Sequence, residues 1–229
     1  MSPQNRSNLA MRPSGKDDAW NWDAYWAANP PPRDQVLAGR RMARRIARFI
    51  KAKGLDVHRF ADVGCGPAIT LFALAARMPG CEFDGFDSSR KVLNLCRRKA
   101  RREGVRNLRF HHAQLPHVRT DGNYDIVTCI ATLHYVEDIG RGVEQLHRMV
   151  RPGGYLVFNY PNRVQQAATR REARTDPVVS KRFELVLSGA NLLTQGGIAD
   201  VLHQRPRSFW REVGEPPRPL NPCAVVVKR

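Results

Sequence analysis

Residues 60–71 read FADVGCGPAITL. An apolar run enters the stretch, Gly64 and Gly66 stand in its middle, and a second apolar run leaves it. The first run predicts a short buried strand over 59–64. The second predicts a helix over 68–78, closed by Pro79-Gly80. Glycine adopts backbone shapes closed to other residues and leaves no side chain in the way of an approaching group. A strand that passes through such a loop into a helix N-terminus presents unpaired N–H groups to a ligand. The stretch therefore predicts both a layer order and a binding edge.

The same alternation continues on either side. Val36, Leu37, Met42, Ile46, Phe49 and Ile50 recur at helical spacing, which predicts an amphipathic helix over 34–53 with a basic outer face and a stop at Gly54. Residues 81–86 predict a second strand. Ser88 is placed to cap a helix running to about Glu103, with Gly104 as its end. Strands are predicted over 107–111 and 124–131, a helix over 139–150, a turn at Pro152-Gly153-Gly154 and a fifth strand over 155–160. Strand and helix in strict alternation predict an α/β, doubly wound, mainly parallel sheet with helices on both faces and right-handed crossovers. The last third predicts helices over 163–174, 178–187 and 194–203. It also predicts strands over 207–213 and 223–228, paired antiparallel at the sheet edge. Pro206, Pro216, Pro217, Pro219 and Pro222 interrupt this region.

The chain has 229 residues, enough for one sizeable domain, and its 42% hydrophobic and 26% charged content is that of a globular protein. No apolar run is long enough to span a bilayer as a helix. The N-terminus is polar and lacks the pattern of a secretory signal. These features predict a flexible arm over 1–16 and a single domain over 17–229. That domain divides into a lid or helix (17–53), a ligand-binding core (54–162), helices on the side of a second ligand (163–203) and terminal strands (204–229). Cys65, Cys81, Cys96, Cys129 and Cys223 form no C-x-x-C pair and no zinc spacing, so they are expected as reduced thiols of a cytoplasmic protein. The net charge is +17. A charge of that size attracts polyanions, and nucleic acid is a possible partner through the basic surface. The densest runs are Arg40, Arg41, Arg44, Arg45, Arg48, Lys51 and Lys53, and then Arg97, Arg98, Lys99, Arg101 and Arg102. Both fall on predicted helices, where a solvated face is the first expectation.

Two common nucleotide loops do not fit. The dinucleotide pattern G-x-G-x-x-G finds Ile69 at its third glycine, and no phosphate loop with Gly-Lys-Ser/Thr is present. DVGCGPA (62–68) instead resembles the first motif of class I S-adenosylmethionine-dependent methyltransferases, an acidic residue followed by spaced glycines. GFDSS (85–89), YDIVTCIATLHYVED (124–138) and LHRMVRPGGYLVFNYPN (146–162) resemble the family's second-strand end, fourth strand and fifth-strand region. Together these cover about residues 34–162 in the family's order. The resemblance implies a Rossmann-like, mainly parallel seven-stranded sheet with an antiparallel edge hairpin at the C-terminus, and S-adenosylmethionine as the cofactor. It implies that Asp62 and the backbone of Gly64, Cys65 and Gly66 meet the amino-acid end of that cofactor. Asp87 would take the ribose hydroxyls, and Ser88 would lie beside the adenine. Ala113, Gln114, Ile130 and Leu133 complete the implied cofactor set. Two positions depart from the family pattern: Ala68 stands at the third glycine, and His112 stands where an acidic residue often faces the adenine, leaving Gln114 as an alternative contact. His111 and His112 have no partner close in sequence that would make them metal ligands.

Methyl transfer from a sulfonium is an in-line displacement, so alignment matters most, and a base is needed only when the acceptor must first lose a proton. His134 and Tyr135, after the fourth strand, are the catalytic candidates. Asn159, Tyr160 and Asn162 end the fifth strand. His134 suits a base because its ordinary pKa is near neutral, or it shapes the methionine pocket. NYPN (159–162) resembles a motif of amine-methylating nucleic-acid enzymes, but that motif belongs after the fourth strand. Trp20, Trp22, Tyr25 and Trp26 are expected as an aromatic lid or as a helix packed on the flank of the sheet. The expected function is methyl transfer to a small-molecule acceptor. The alternatives are an RNA or DNA methyltransferase, or a non-catalytic protein that binds S-adenosylmethionine or nucleic acid. A nicotinamide-dependent oxidoreductase is the most distant.

Overall fold

The computed structural model describes residues 20–28, 30–210 and 223–229. The expected arm over 1–16, residues 211–213 of the sixth predicted strand, and Pro216, Pro217, Pro219 and Pro222 lie outside the described residues.

Seven strands form one sheet in the order β3-β2-β1-β4-β5-β7-β6. They are β1 (Arg59–Val63), β2 (Glu82–Asp87), β3 (Leu108–His112), β4 (Tyr124–Cys129), β5 (Val150–Phe158), β6 (Ser208–Trp210) and β7 (Cys223–Val227). The first five are mutually parallel, and β7 runs antiparallel to both β5 and β6. The antiparallel pair is present as expected, with β7 lying inside it against β5 and β6 at the edge. Strand order reverses between β1 and β4, which opens a crevice at their carboxyl ends.

Alternate side chains of each strand feed two apolar layers, because successive residues point to opposite faces. One layer joins Phe60, Phe83, Phe110 and Ile126 to the inner sides of α2 (Arg33–Lys53), α3 (Ile69–Ala75) and α4 (Arg90–Arg102). The other joins Ala61, Val63, Phe86, Val127 and Phe158 to α5 (Ile139–Met149) and α9 (Gln195–Leu202). Both faces of the central strands are covered, so they read as near-continuous apolar runs. All five cysteines are buried and none is in a disulfide. No described helix is long and apolar enough to cross a membrane.

Four local readings change. Ser89, not Ser88, is the N-cap of α4: its hydroxyl accepts from the Val92 N–H at 3.2 Å. The helix expected over 68–78 occupies Ile69–Ala75, because Ala68 takes a left-handed conformation (φ 54°) and stands as its N-cap. The Pro152-Gly153-Gly154 turn is a bulge within a continuous β5. Tyr124 pairs with Val150 and Ile126 already pairs with Tyr155, so the intervening residues loop out. The helix expected over 178–187 breaks at Phe183 into α7 (Pro177–Arg182) and α8 (Glu184–Ser188). The remaining helices are α1 (Trp22–Ala28) and α6 (Arg163–Ala173).

Candidate functional site

The glycine loop folds across the end of β2. The N–H groups of Gly64 and Cys65 both donate to the Phe86 carbonyl, at 2.7 and 3.0 Å. The next N–H, of Gly66, donates to Asp87 Oδ2 at 2.8 Å, and the Ser89 N–H donates to Asp87 Oδ1 at 2.9 Å. Each carboxylate oxygen thus holds one backbone donor and keeps lone pairs for another. Burial pushes the Asp87 carboxyl above its ordinary range, partly offset by the Ser89 and Gly66 N–H bonds. A group that donates hydrogen bonds to Asp87 would favour its ionised form.

Asp87 faces a cavity of about 680 Å³. Of the cofactor residues expected from sequence, Gly64, Gly66, Asp87, Ser88, Ala113 and Gln114 line it. Asp62, Cys65, Ile130 and Leu133 are not on its wall. Asp62 is 7% exposed and accepts from Thr128 Oγ1 at 2.7 Å, and burial pushes its pKa up to about 7. Cys65 Sγ packs beside Gly85, and burial holds its thiol well above the ordinary range. Leu133 is fully buried in the second apolar layer.

The space beside the two loop glycines is occupied by the chain itself. A Cβ on Gly64 (φ +74°) would stand 1.9 Å from Thr132 Oγ1. One on Gly66 (φ +50°) would stand 3.3 Å from the Trp26 ring. Trp20, Trp22 and Trp26 line the cavity, so α1 and the segment just before it form part of its wall. Tyr25 packs behind them, with its ring 4.9 Å from Trp26 and 5.6 Å from Trp22. Asp23 fastens α1 to the start of α4, accepting from Ser89 Oγ at 2.6 Å and from the Lys91 N–H at 3.0 Å. These bonds hold the Asp23 carboxyl below its ordinary range.

His134 and Tyr135 also line the cavity, in a short 3-10 turn, Leu133–Tyr135. His134 is buried, and its Nε2 lies 2.8 Å from Gln165 Oε1 of α6. Tyr135 lies between Trp22 and Phe183, at ring distances of 4.7 and 5.4 Å, and burial pushes its hydroxyl up to about 12. Asn159 lies off the cavity wall and holds the loop after β4, accepting from the Ala131 N–H at 2.7 Å. Asn162 caps α6 by accepting from the Gln165 N–H at 2.9 Å. His112 is exposed with Nε2 at 3.0 Å from the Ser88 carbonyl, and His111 pairs with Asp84 at 2.6 Å.

One residue that orients the turn was not singled out by sequence. Asn191 is fully buried, and its Nδ2 donates to the carbonyls of Leu133, His134 and Val136 at 3.1, 2.9 and 3.3 Å. No motif marks it, because it reaches the turn across 57 positions of chain. Asn191→Ala strands those carbonyls and is expected to lower stability by about 2 kcal/mol. The urea unfolding midpoint checks this, and an unchanged midpoint would remove Asn191 as the anchor.

Residues 60–154 match the family model described as a methyltransferase domain. A ubiquinone biosynthesis O-methyltransferase of Acinetobacter baylyi is 32% identical over 114 residues, covering 49% of this chain and 47% of that protein. One from Aromatoleum aromaticum is 35% identical over 112 residues, covering 48% and 47%. The chain thus spans about half the length of the curated relatives it matches. A magnesium protoporphyrin IX methyltransferase structure from Synechocystis, with SAH bound, superposes with a TM-score of 0.62 at 16% identity, covering 91% of this chain and 93% of that one. At that identity the superposition shows the shared fold.

Proposed function

We propose that this chain, whose residues 60–154 match a methyltransferase-domain family model, is a class I S-adenosylmethionine-dependent methyltransferase that transfers the methyl group to a small-molecule acceptor held in the cavity beside Asp87. The observation that carries the reading is Asp87. It is a buried carboxylate at the end of β2, anchored by the Gly66 and Ser89 N–H groups and open to a cavity of about 680 Å³. That volume falls within the range of small-molecule sites, about 300–1,000 Å³.

The residues present fit the cofactor. Asp87 would accept the ribose hydroxyls through its remaining lone pairs. Ser88, Ala113 and Gln114, which line the cavity, would border the adenine, and Gly64 and Gly66 would border the amino-acid end. Asp62 acts from behind the loop. The cofactor supplies an electrophilic methyl group on a sulfonium. The protein's work is to align the acceptor with it and exclude water. α1 does the latter through Trp20, Trp22 and Trp26. The curated relatives are named O-methyltransferases, which supports an oxygen nucleophile. Such an acceptor needs a base, and His134 is the candidate: donation from Nε2 to Gln165 Oε1 selects the tautomer whose Nδ1 is basic. Tyr135 orients the acceptor ring. Five buried cysteines outside any disulfide fit a reducing, cytoplasmic setting.

Isothermal titration tests the reading. S-adenosylmethionine and S-adenosylhomocysteine should bind at micromolar levels and NADH should not. Asp87→Asn keeps the shape but removes the charge that strengthens the ribose bonds. It should weaken S-adenosylhomocysteine about 10- to 100-fold. Unchanged affinity would move the cofactor elsewhere.

The basic surface favours a second reading, a nucleic-acid acceptor. Arg40, Arg41, Arg44, Arg48 and Lys51 are exposed along α2 and form no ion pair with the described residues. Steeply salt-dependent RNA binding together with methyl incorporation into RNA would support it over a small acceptor.

A further inference from the structure

Among the residues lining the cavity, two donors point at nothing that answers them. Arg182 Nε and Trp20 Nε1 are both shielded from solvent, and neither has a hydrogen-bond partner among the described residues. Both residues line the cavity. The guanidinium of Arg182 lies 4.7 Å from the Phe183 ring and forms no ion pair with the described residues. Carboxylates do occur along the cavity wall. Asp138 is engaged by Arg141 at 3.3 Å, while Glu137 and Glu184 are exposed and pair with neither Arg182 nor Lys181. Buried donors are normally satisfied, so two of them among the residues lining one cavity call for an acceptor brought by a ligand. The charge and planar fork of a guanidinium match a carboxylate. Flat rings also line the cavity: Trp22 and Tyr135 have centroids 4.7 Å apart, and Phe183 packs against Tyr135 at 35°.

We propose that Arg182 and Trp20 receive a carboxylate of the methyl acceptor, and that the acceptor is a planar aryl carboxylate. The inference rests on the methyl-transfer reading above and names its substrate class. Arg182 follows β5 in the chain, acts electrostatically on Tyr135, and precedes Phe183, whose ring lies 5.4 Å from that of Tyr135. That association with Tyr135, the residue assigned above to the acceptor, is the ground for giving it to the acceptor rather than to the ribose. The carboxylate of the cofactor's own methionine end is the other source of the same chemistry, and the test separates the two.

Benzoate, 2-hydroxybenzoate, 4-hydroxybenzoate and 2-aminobenzoate are titrated calorimetrically into the full chain, each against its carboxamide, with and without S-adenosylhomocysteine. At least one acid should bind about tenfold or more tighter than its amide, since a charged hydrogen bond is lost in the amide. Arg182→Gln should erase that preference while leaving S-adenosylhomocysteine affinity within about twofold. Arg182→Lys, which keeps the charge and loses the fork, should retain part of it. The lysine variant and the wild-type acid-to-amide ratio still decide the matter if the glutamine variant does not fold. Equal binding of acid and amide, or no acid binding tighter than about 10 mM, overturns the proposal. So does an Arg182→Gln variant that loses S-adenosylhomocysteine but keeps its acid preference, because the carboxylate is then the cofactor's own. Failure of the wild type to bind S-adenosylhomocysteine would sink the methyl-transfer reading, while the acid-to-amide ratio measured without it still reports on Arg182.

Discussion

Gly64→Ala is expected to destabilise the protein by about 2–5 kcal/mol before any ligand is added. Two causes add. The position has φ +74°, where a Cβ costs about 1–2 kcal/mol in a left-handed conformation. That Cβ would also stand 1.9, 2.4 and 2.6 Å from Thr132 Oγ1, Cγ2 and Cβ, an overpacking that costs about 1–3 kcal/mol. Thr132 cannot swing away cheaply, because its hydroxyl lies 3.2 Å from the Ile130 carbonyl and 3.4 Å from that of Gly64. Denaturant unfolding of Gly64→Ala, Thr132→Gly and the double variant forms a cycle that separates the causes. Thr132→Gly clears all three colliding atoms, so the double variant should recover the steric part and keep the conformational part. A cycle with no coupling would mean that the loop relaxes away from Thr132 and that the glycine serves the ligand alone.

The second large effect concerns Asp62 and pH. Its carboxyl is raised to about 7 in the folded protein by burial, against the lowering effect of the Thr128 bond. In the unfolded chain it titrates near 3.9. Between those values the folded protein holds a proton that the unfolded chain has released. Stability from this group is therefore complete below about pH 4 and is lost as pH rises to about 7, by roughly 4 kcal/mol in all. Asp62→Asn removes the titration. Relative to wild type the variant should gain stability steadily from pH 4 to 7 and level off above it. The carboxylates with lowered values, Asp84 and Asp125, lose stability only as pH falls through the acid range, so they do not mimic the slope. Unfolding midpoints of both proteins at pH 5, 6, 7 and 8 check this. A difference that is flat across that window would show that Asp62 is ionised throughout.

Much of the framework was legible because it is local. Strand and helix alternate with short connections from residue 34 to 160, and each apolar run is long enough to declare its period. Asp87 was legible as the end of β2 beside the glycine loop. Other features were not. Ser88 and Ser89 are neighbours with the same side chain, and only the Val92 N–H selects the second as cap. The Pro-Gly-Gly segment carries every sign of a turn, yet pairing with β4 and the Lys228 bonds to Gly153 and Gly154 draw it into β5 as a bulge.

By itself the sequence determined the layer order, the parallel core, the motif that marks the family and the carboxylate at the end of β2. Those depend on residue periodicity and on turn chemistry within a few positions. The tertiary structure alone decided what fills the site. It set Thr132 against Gly64 and Trp26 against Gly66, withdrew Asp62 behind the loop, hung the His134 turn on Asn191, and brought Arg182 and Trp20 to one cavity. These contacts join residues tens of positions apart. They arise from the packing of α1, α7 and the segment before α9 around the crevice between β1 and β4, and no periodicity encodes which side chains meet there.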